Sequence, residues 1–188
     1  MGELRLPDPP LRDDVVRLRP WCEEDVEHAH RAIQDPLISR FTRVPAGETV
    51  EQLREFVAGH AAARIAGDGL ELAIAGAETD VFLGAIGLLR LEWSERRGEI
   101  GYYLAPEARG RGVATRAVRL LSRWALTQAG LARLALQADT DNHASQRVAE
   151  RCGFTREGVL RSVEERNGQR HDLVMFSLLA AELTSRVE

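Results

Sequence analysis

The six residues Arg109-Gly110-Arg111-Gly112-Val113-Ala114 constrain this chain more than any others, because of what flanks them. Before them runs Glu99-Ile-Gly-Tyr-Tyr-Leu104, rich in β-branched and aromatic residues, and after them a helix-period stretch extends to about residue 128. A strand that ends in a glycine-rich turn and opens into a helix exposes a row of backbone N–H groups. The first helical turn has no internal acceptor for them, and the macrodipole adds partial positive charge there. Such a place binds phosphate or pyrophosphate without dedicated side chains, and the glycines let a ligand reach the backbone.

Two familiar phosphate loops are excluded. A P-loop requires Gly-x4-Gly-Lys-Ser/Thr, and the chain holds no Gly-Lys pair. A dinucleotide fingerprint requires Gly-x-Gly-x-x-Gly, and here Thr115 stands at the third position.

At 188 residues the chain suits one domain with a substantial core, over residues 14–182, preceded by an extended arm over residues 1–13. A net charge of −4 argues against a broad nucleic-acid surface. Cys22 and Cys152 form no Cys-x-x-Cys pair, so neither a metal site nor a redox motif is implied, and both are expected as reduced thiols of a cytoplasmic protein. Pro7, Pro9 and Pro10 break any apolar leader, and no run approaches the length of a membrane span.

Periodicity and caps predict strands over residues 15–18, 70–75, 81–91, 97–104 and 134–138. Helices are predicted over residues 23–33, 49–66, 113–128 and 144–151, with Thr49-x-x-Gln52 as a capping box and Gly153 as a left-handed stop. Residues 36–47 read as irregular. Asn167-Gly168 is a strong hairpin signal. It joins residues 159–166 to 169–178, placing Glu164 opposite His171 and Glu165 opposite Arg170.

The spacing Arg109-x-x-Gly112-x-Ala114 resembles the pyrophosphate loop of the GNAT superfamily of acetyltransferases. Downstream, Asn142-His-Ala-Ser145 followed by Cys152-Gly153-Phe154 looks like that family's Asn-led helix ending in Gly-Phe. Val16-Arg-Leu18-Arg-Pro20 and the segment from Glu164 to Asp172 are similar to the RimJ/RimL branch, whose known members acetylate protein N-termini, notably of ribosomal proteins. The resemblance covers about residues 14–180.

It implies an α/β GNAT fold: a mixed, mostly antiparallel sheet of six to seven strands, splayed at a bulge and flanked by about four helices. It implies acetyl transfer from acetyl-CoA to an amine by direct attack, with no metal. Residues 109–115 (Arg109, Gly110, Arg111, Gly112, Val113, Ala114 and Thr115) would hold the pyrophosphate, with Arg111 or Arg116 reaching for a phosphate. Leu104 and Ala105 would lie beside the pantetheine, a main-chain N–H near Leu104 serving the thioester oxygen; Gly101 fits either the strand's broken pairing or tight packing. Asn142 bonds the pantetheine or acceptor, or simply caps its helix.

Many relatives place a tyrosine seven residues after that Asn, where this chain has Ala149. The resemblance then points to Ser145 as hydrogen-bond donor to the sulfur, to Glu164 as first choice of base with His171 sharing a water, and to Glu99 as second. Trp21, Phe41 and Trp93 read as core more than pocket, while residues 35–44 lie where the family builds its acceptor wall. The acceptor stays open among a protein α-amino group, a small amine such as a polyamine, aminoglycoside or amino acid, and none at all, in a non-catalytic acyl-CoA sensor. A homodimer using the C-terminal strands is a further implication.

Overall fold

The computed structural model describes residues 4–45 and 47–184. Eight strands form one sheet in the order β1-β2-β3-β4-β5-β6-β8-β7. They are β1 (Leu11–Arg12), β2 (Val16–Arg19), β3 (Leu70–Gly76), β4 (Phe82–Glu92), β5 (Arg97–Leu104), β6 (Arg133–Asp139), β7 (Thr155–Arg166) and β8 (Gln169–Leu179). Helices α1 (Glu23–Ile33), α2 (Pro36–Phe41) and α3 (Val50–Ala66) lie between β2 and β3; α4 (Val113–Thr127) and α5 (His143–Arg151) flank β6, and α6 (Ala180–Thr184) follows β8.

Alternation along the strands divides the core. Leu70, Leu72 and Ile74 of β3 and Leu88 of β4 meet Val113, Ala117, Leu121 and Trp124 of α4 on one face. On the other, Ala73 of β3 and Phe82 of β4 meet Val26, Ala29 and Ile33 of α1, Ile38 of α2 and Leu53 of α3. The antiparallel pairs are broken by one parallel pair, β5 with β6, held only by Arg97↔Arg133, Gly98↔Leu134 and Glu99↔Ala135. Past Glu99 the two strands part.

Three elements differ from the sequence reading. Residues 36–47 are not irregular throughout, because Asp35 accepts a hydrogen bond from the Leu37 N–H and Pro36 sits in the first turn, which starts α2. Six to seven strands become eight because residues 11–12 pair with Leu18 and Arg17, a bridge too short to leave a pattern. Six helices stand where four were expected, the short α2 and α6 among them. The Asn167-Gly168 hairpin has the expected register, Glu164↔His171 and Glu165↔Arg170.

Candidate active site

The phosphate loop comes first in the geometry as in the sequence. A 3-10 turn, Pro106–Ala108, follows β5, and Gly112 caps α4 in the left-handed conformation. Gly110 and Gly112 have φ of +74° and +78°, a region that favours glycine, and space for a Cβ is open at both. The N–H groups of residues 110–115 donate to nothing among the described residues; internal bonding resumes with Arg116 N–H to Gly112 O. That free row at a helix N-terminus fits a pyrophosphate. Arg116, by contrast, is held by Asp13 at 2.8 Å and Asp14 at 2.6 Å rather than projecting free for a phosphate.

The parting of β5 from β6 supplies the adjoining slot. The Ala105 N–H donates to Leu83 O at 2.9 Å, so Ala105 secures the strand end and its amide is committed. By the alternation of an antiparallel ladder, Leu104 and Tyr102 then turn their N–H and C=O groups away from β4, toward the gap. The Leu104 carbonyl is met by Arg109 Nε at 3.3 Å and Nη2 at 3.1 Å, while Arg109 Nη1 donates to Asp35 at 3.0 Å. The Arg109 side chain therefore braces the loop against β5 and the cap of α2. Gly101 remains paired with Gly87, and a Cβ there would meet Leu89 at 2.8 Å, so close packing accounts for it.

Ser145 stands in the first turn of α5, with its N–H bonded to Asn142 Oδ1 at 3.1 Å. Asn142 is thus a helix cap in this geometry, and it lines the cavity as well. The Tyr102 hydroxyl donates to Ser145 Oγ at 3.0 Å. Burial pushes the Tyr102 phenol up to about 12, so it stays protonated. Sequence reasoning missed this partner, since nothing local in β5 points to α5.

The two glutamates are drawn into an arginine network. Glu99, 8% exposed, accepts from Arg90 and from Gln137, each at 3.0 Å, and lies 3.8 Å from Arg43. Glu164 pairs with Arg43 at 2.5 Å and with Arg166 at 2.9 Å. His171 lies opposite Glu164 in register, but its Nδ1 meets Asp139 at 2.9 Å, and Asp139 also pairs with Arg166. His171 is thus tied through Nδ1 to Asp139, and the guanidinium groups of Arg43 and Arg166 pair with the Glu164 carboxylate.

A cavity of about 640 Å³ joins these groups. Ser145, Asn142, Tyr102 and Leu104 line one part; Trp21, Phe41, Phe56 and Tyr103 line another. Trp21 and Phe41 are thus pocket walls, and Trp21 also packs against the core formed by α1, α2 and α3. Trp93 lies elsewhere, packed on the core with its Nε1–H donating to Gly67 O at 2.8 Å. Glu71 also lines the cavity, and burial pushes its carboxyl up to about 7. Its signal in the sequence is a lone charge inside the apolar run Leu70-Glu71-Leu72-Ala73-Ile74. Ser145, Glu99 and Glu164 share this one cavity, as do Leu104, Arg109, Gly110, Ala114 and Asn142.

Comparison with known proteins agrees with this geometry. Residues 16–155 match the family described as an acetyltransferase (GNAT) domain. The chain is 29% identical to the uncharacterized N-acetyltransferase YoaA of Bacillus subtilis (strain 168) over 171 residues, 91% of this chain and 97% of that one. It is 26% identical over 163 residues to the spermidine N(1)-acetyltransferase of Escherichia coli (strain K12), covering 87% of this chain and 85% of that one. The solved structure of RimL, a ribosomal L7/L12 alpha-N-protein acetyltransferase in complex with coenzyme A, shares the fold with a TM-score of 0.82 at 22% identity, over 90% of this chain and 97% of that chain. The free N–H row of α4 and the slot between β5 and β6 suit the cosubstrate that such enzymes use. The chain belongs to the GNAT acetyltransferase family and is an acetyl-CoA-dependent N-acetyltransferase of RimJ/RimL-like kind.

Proposed function

We propose that the acceptor is the α-amino group of a peptide or protein. One observation carries this reading. Five carboxylates line the cavity, those of Glu48, Glu71, Glu99, Asp139 and Glu164. Three of them, Glu99, Asp139 and Glu164, are already paired with arginines of this chain. The remaining walls are mainly apolar. A polycation such as spermidine needs several unpaired carboxylates, whereas a single amine on an apolar body suits what is left. The α-amine is also the easier nucleophile. Its pKa is about 7.7–8.0 against about 10.4 for lysine, so freeing it at pH 7 costs about 1 kcal/mol rather than more than 4.

In this reading the row of N–H groups on Gly110, Arg111, Gly112, Val113, Ala114 and Thr115 binds the pyrophosphate, braced by Arg109 and Ala105. The Leu104 N–H donates to the thioester oxygen as negative charge develops there. Ser145, itself supported by the Tyr102 hydroxyl, donates to the departing sulfur. A donated hydrogen bond suffices, because a thiol pKa near 8.5 makes the thiolate a good leaving group. Asn142 sets the pitch of α5 and so the position of Ser145. Glu99 and Glu164 hold Arg43 at the rim of the cavity, where the acceptor enters.

The test is thiol release from acetyl-CoA with peptides bearing N-terminal Ala, Ser or Met, with an N-terminally blocked lysine peptide, with spermidine and with an aminoglycoside. The expected result is turnover on free N-termini, with kcat/KM at least tenfold above that for the lysine peptide. Faster turnover on spermidine or the aminoglycoside would overturn the peptide reading in favour of a small amine. Tight acetyl-CoA binding with no turnover on any amine would favour a sensor.

A further inference from the structure

Glu71 is one of two cavity carboxylates, with Glu48, that no arginine pairs among the described residues, and the reading above leaves it unused. Strand β3 pairs Glu71 with Gly87 of β4, and β4 pairs Gly87 with Gly101 of β5. The three lie in one row across the sheet, on the face that α1 and α3 cover. The Glu71 side chain leans along this row: a Cβ on Gly87 would lie 2.6 Å from Glu71 Oε2. The carboxylate therefore lies over Gly87, the Leu89 side chain covers Gly101, and Glu71 borders the same cavity as Tyr103, Leu104 and Ser145.

No hydrogen bond or ion pair engages the Glu71 carboxylate among the described residues, in a chain where Glu99, Asp139 and Glu164 are each paired. An unpaired carboxylate partly withdrawn from water is costly unless a ligand completes it. The surrounding groups supply no cation. Tyr103 of β5 carries the influence of Glu71, Glu48 and Asp25; Asp25 on α1 is paired with Arg19. Glu99 lies further along β5, paired with Arg90, and Arg43 stands beside Glu99 and Glu164.

We propose that Glu71 holds the acceptor's ammonium group in the cavity it shares with Tyr103, Leu104 and Ser145 and takes its proton. The proposal rests on the acetyl-transfer reading and deepens it by naming where the amine docks. The steps balance. The ammonium gives one proton to the Glu71 carboxylate, leaving a neutral amine whose lone pair forms the N–C bond to the acetyl carbonyl. The C–S bond breaks with its electron pair going to sulfur. The second N–H proton is lost from nitrogen as the amide forms, and the thiolate gains one to become a thiol. Burial suits Glu71 to this work, since a carboxyl pushed up to about 7 accepts a proton far better at neutral pH than an exposed one. The substrate class that fits is a primary amine on an apolar body, such as an N-terminus whose first side chain is large and apolar, set among Trp21, Phe41 and Tyr103.

The experiment measures kcat/KM for the N-terminal Met peptide against pH, in the wild type and in Glu71→Gln, with acetyl-CoA affinity measured beside it. Glu71→Gln is expected to lower kcat/KM about 100-fold at pH 7. It should remove the bend near pH 7, leaving only the bend of the peptide's own amine at about 7.7–8.0. Acetyl-CoA affinity should change less than twofold. Glu71→Asp, which keeps the charge but shortens its reach, should retain the bend with a smaller loss of kcat/KM. Wild-type kcat/KM and an unchanged bend in Glu71→Gln would overturn the proposal, as would a bend lost in Gln and Asp alike with kcat/KM unaffected. If the wild type itself turns over no amine, the acetyl-transfer reading falls first, and that result is distinguishable from failure of Glu71 alone.

Discussion

The two halves of the cavity are built from different materials. The cosubstrate half is backbone: six free N–H groups at the start of α4 and the outward edge of β5, with Gly110 and Gly112 making the turn. The acceptor half is side chains from separated segments: Trp21 before α1, Phe41 in α2, Phe56 in α3, Glu71 in β3 and Tyr103 in β5. A backbone site depends on few residue identities, so it accommodates one ligand and resists drift. A side-chain site can be changed wall by wall, which suits the part that chooses a substrate.

The sharpest way to break this contrast is to place charge in the backbone half. Gly112→Asp demands a left-handed aspartate and sets a carboxylate at the site proposed for the pyrophosphate. Acetyl-CoA affinity should fall about 1,000-fold, roughly 4 kcal/mol, in a calorimetric titration, with thermal stability reduced far less. An affinity close to wild type would show that the α4 terminus does not bind the pyrophosphate.

In the acceptor half, two buried groups should give opposite pH signatures. Glu71 has a folded pKa raised to about 7 from 4.5, so its neutral form is favoured and stability declines as pH rises from about 4.5 to 7. Glu71→Gln should therefore raise stability at pH 8, by up to about 3 kcal/mol, and leave it unchanged at pH 4. His60 lies between Trp21 and Phe56, with ring centroids at 5.7 and 4.7 Å, and neither ring nitrogen has a partner among the described residues. Burial lowers its pKa to about 4, so stability is lost as pH falls from 6.5 toward 4. His60→Leu should flatten that acid limb, read as the denaturant midpoint at pH 7 and pH 4.5.

Where the halves meet, Ser145→Ala and Tyr102→Phe should each lower kcat about tenfold with acetyl-CoA affinity kept. The double variant should be little worse than either single one, since both act through one hydrogen-bonded pair. The smallest effect is expected at Arg116. Because Asp13 and Asp14 hold its guanidinium at the surface, Arg116→Ala should change acetyl-CoA affinity less than twofold.

The same contrast explains what the sequence could say. The loop, the α4 start, the Asn142 cap and the 167–168 hairpin are set by neighbours a few residues apart, so local pattern reveals them. Glu164 and His171 were placed opposite one another for the same reason. Their bonding partners were not legible: Arg43 is 121 residues from Glu164, and Asp139 is 32 from His171. The Tyr102–Ser145 bond likewise spans 43 residues and two elements. Helix α2 did carry a local signal, Asp35-Pro36, but six residues are too few for periodicity to reinforce it. Glu71 was visible as a misplaced charge in an apolar strand, yet only the pairing of β3, β4 and β5 shows the glycines beside it.

The central claim is that one continuous site joins the backbone half to an α-amine pocket. It is tested most directly by two conjugates in which coenzyme A is linked through an acetyl bridge to the same peptide, once at the α-nitrogen and once at a lysine side chain. The account predicts that the α-linked conjugate binds at least about 100-fold more tightly than coenzyme A alone, while the lysine-linked one gains little. Equal affinities, or a preference for the lysine linkage, would contradict it.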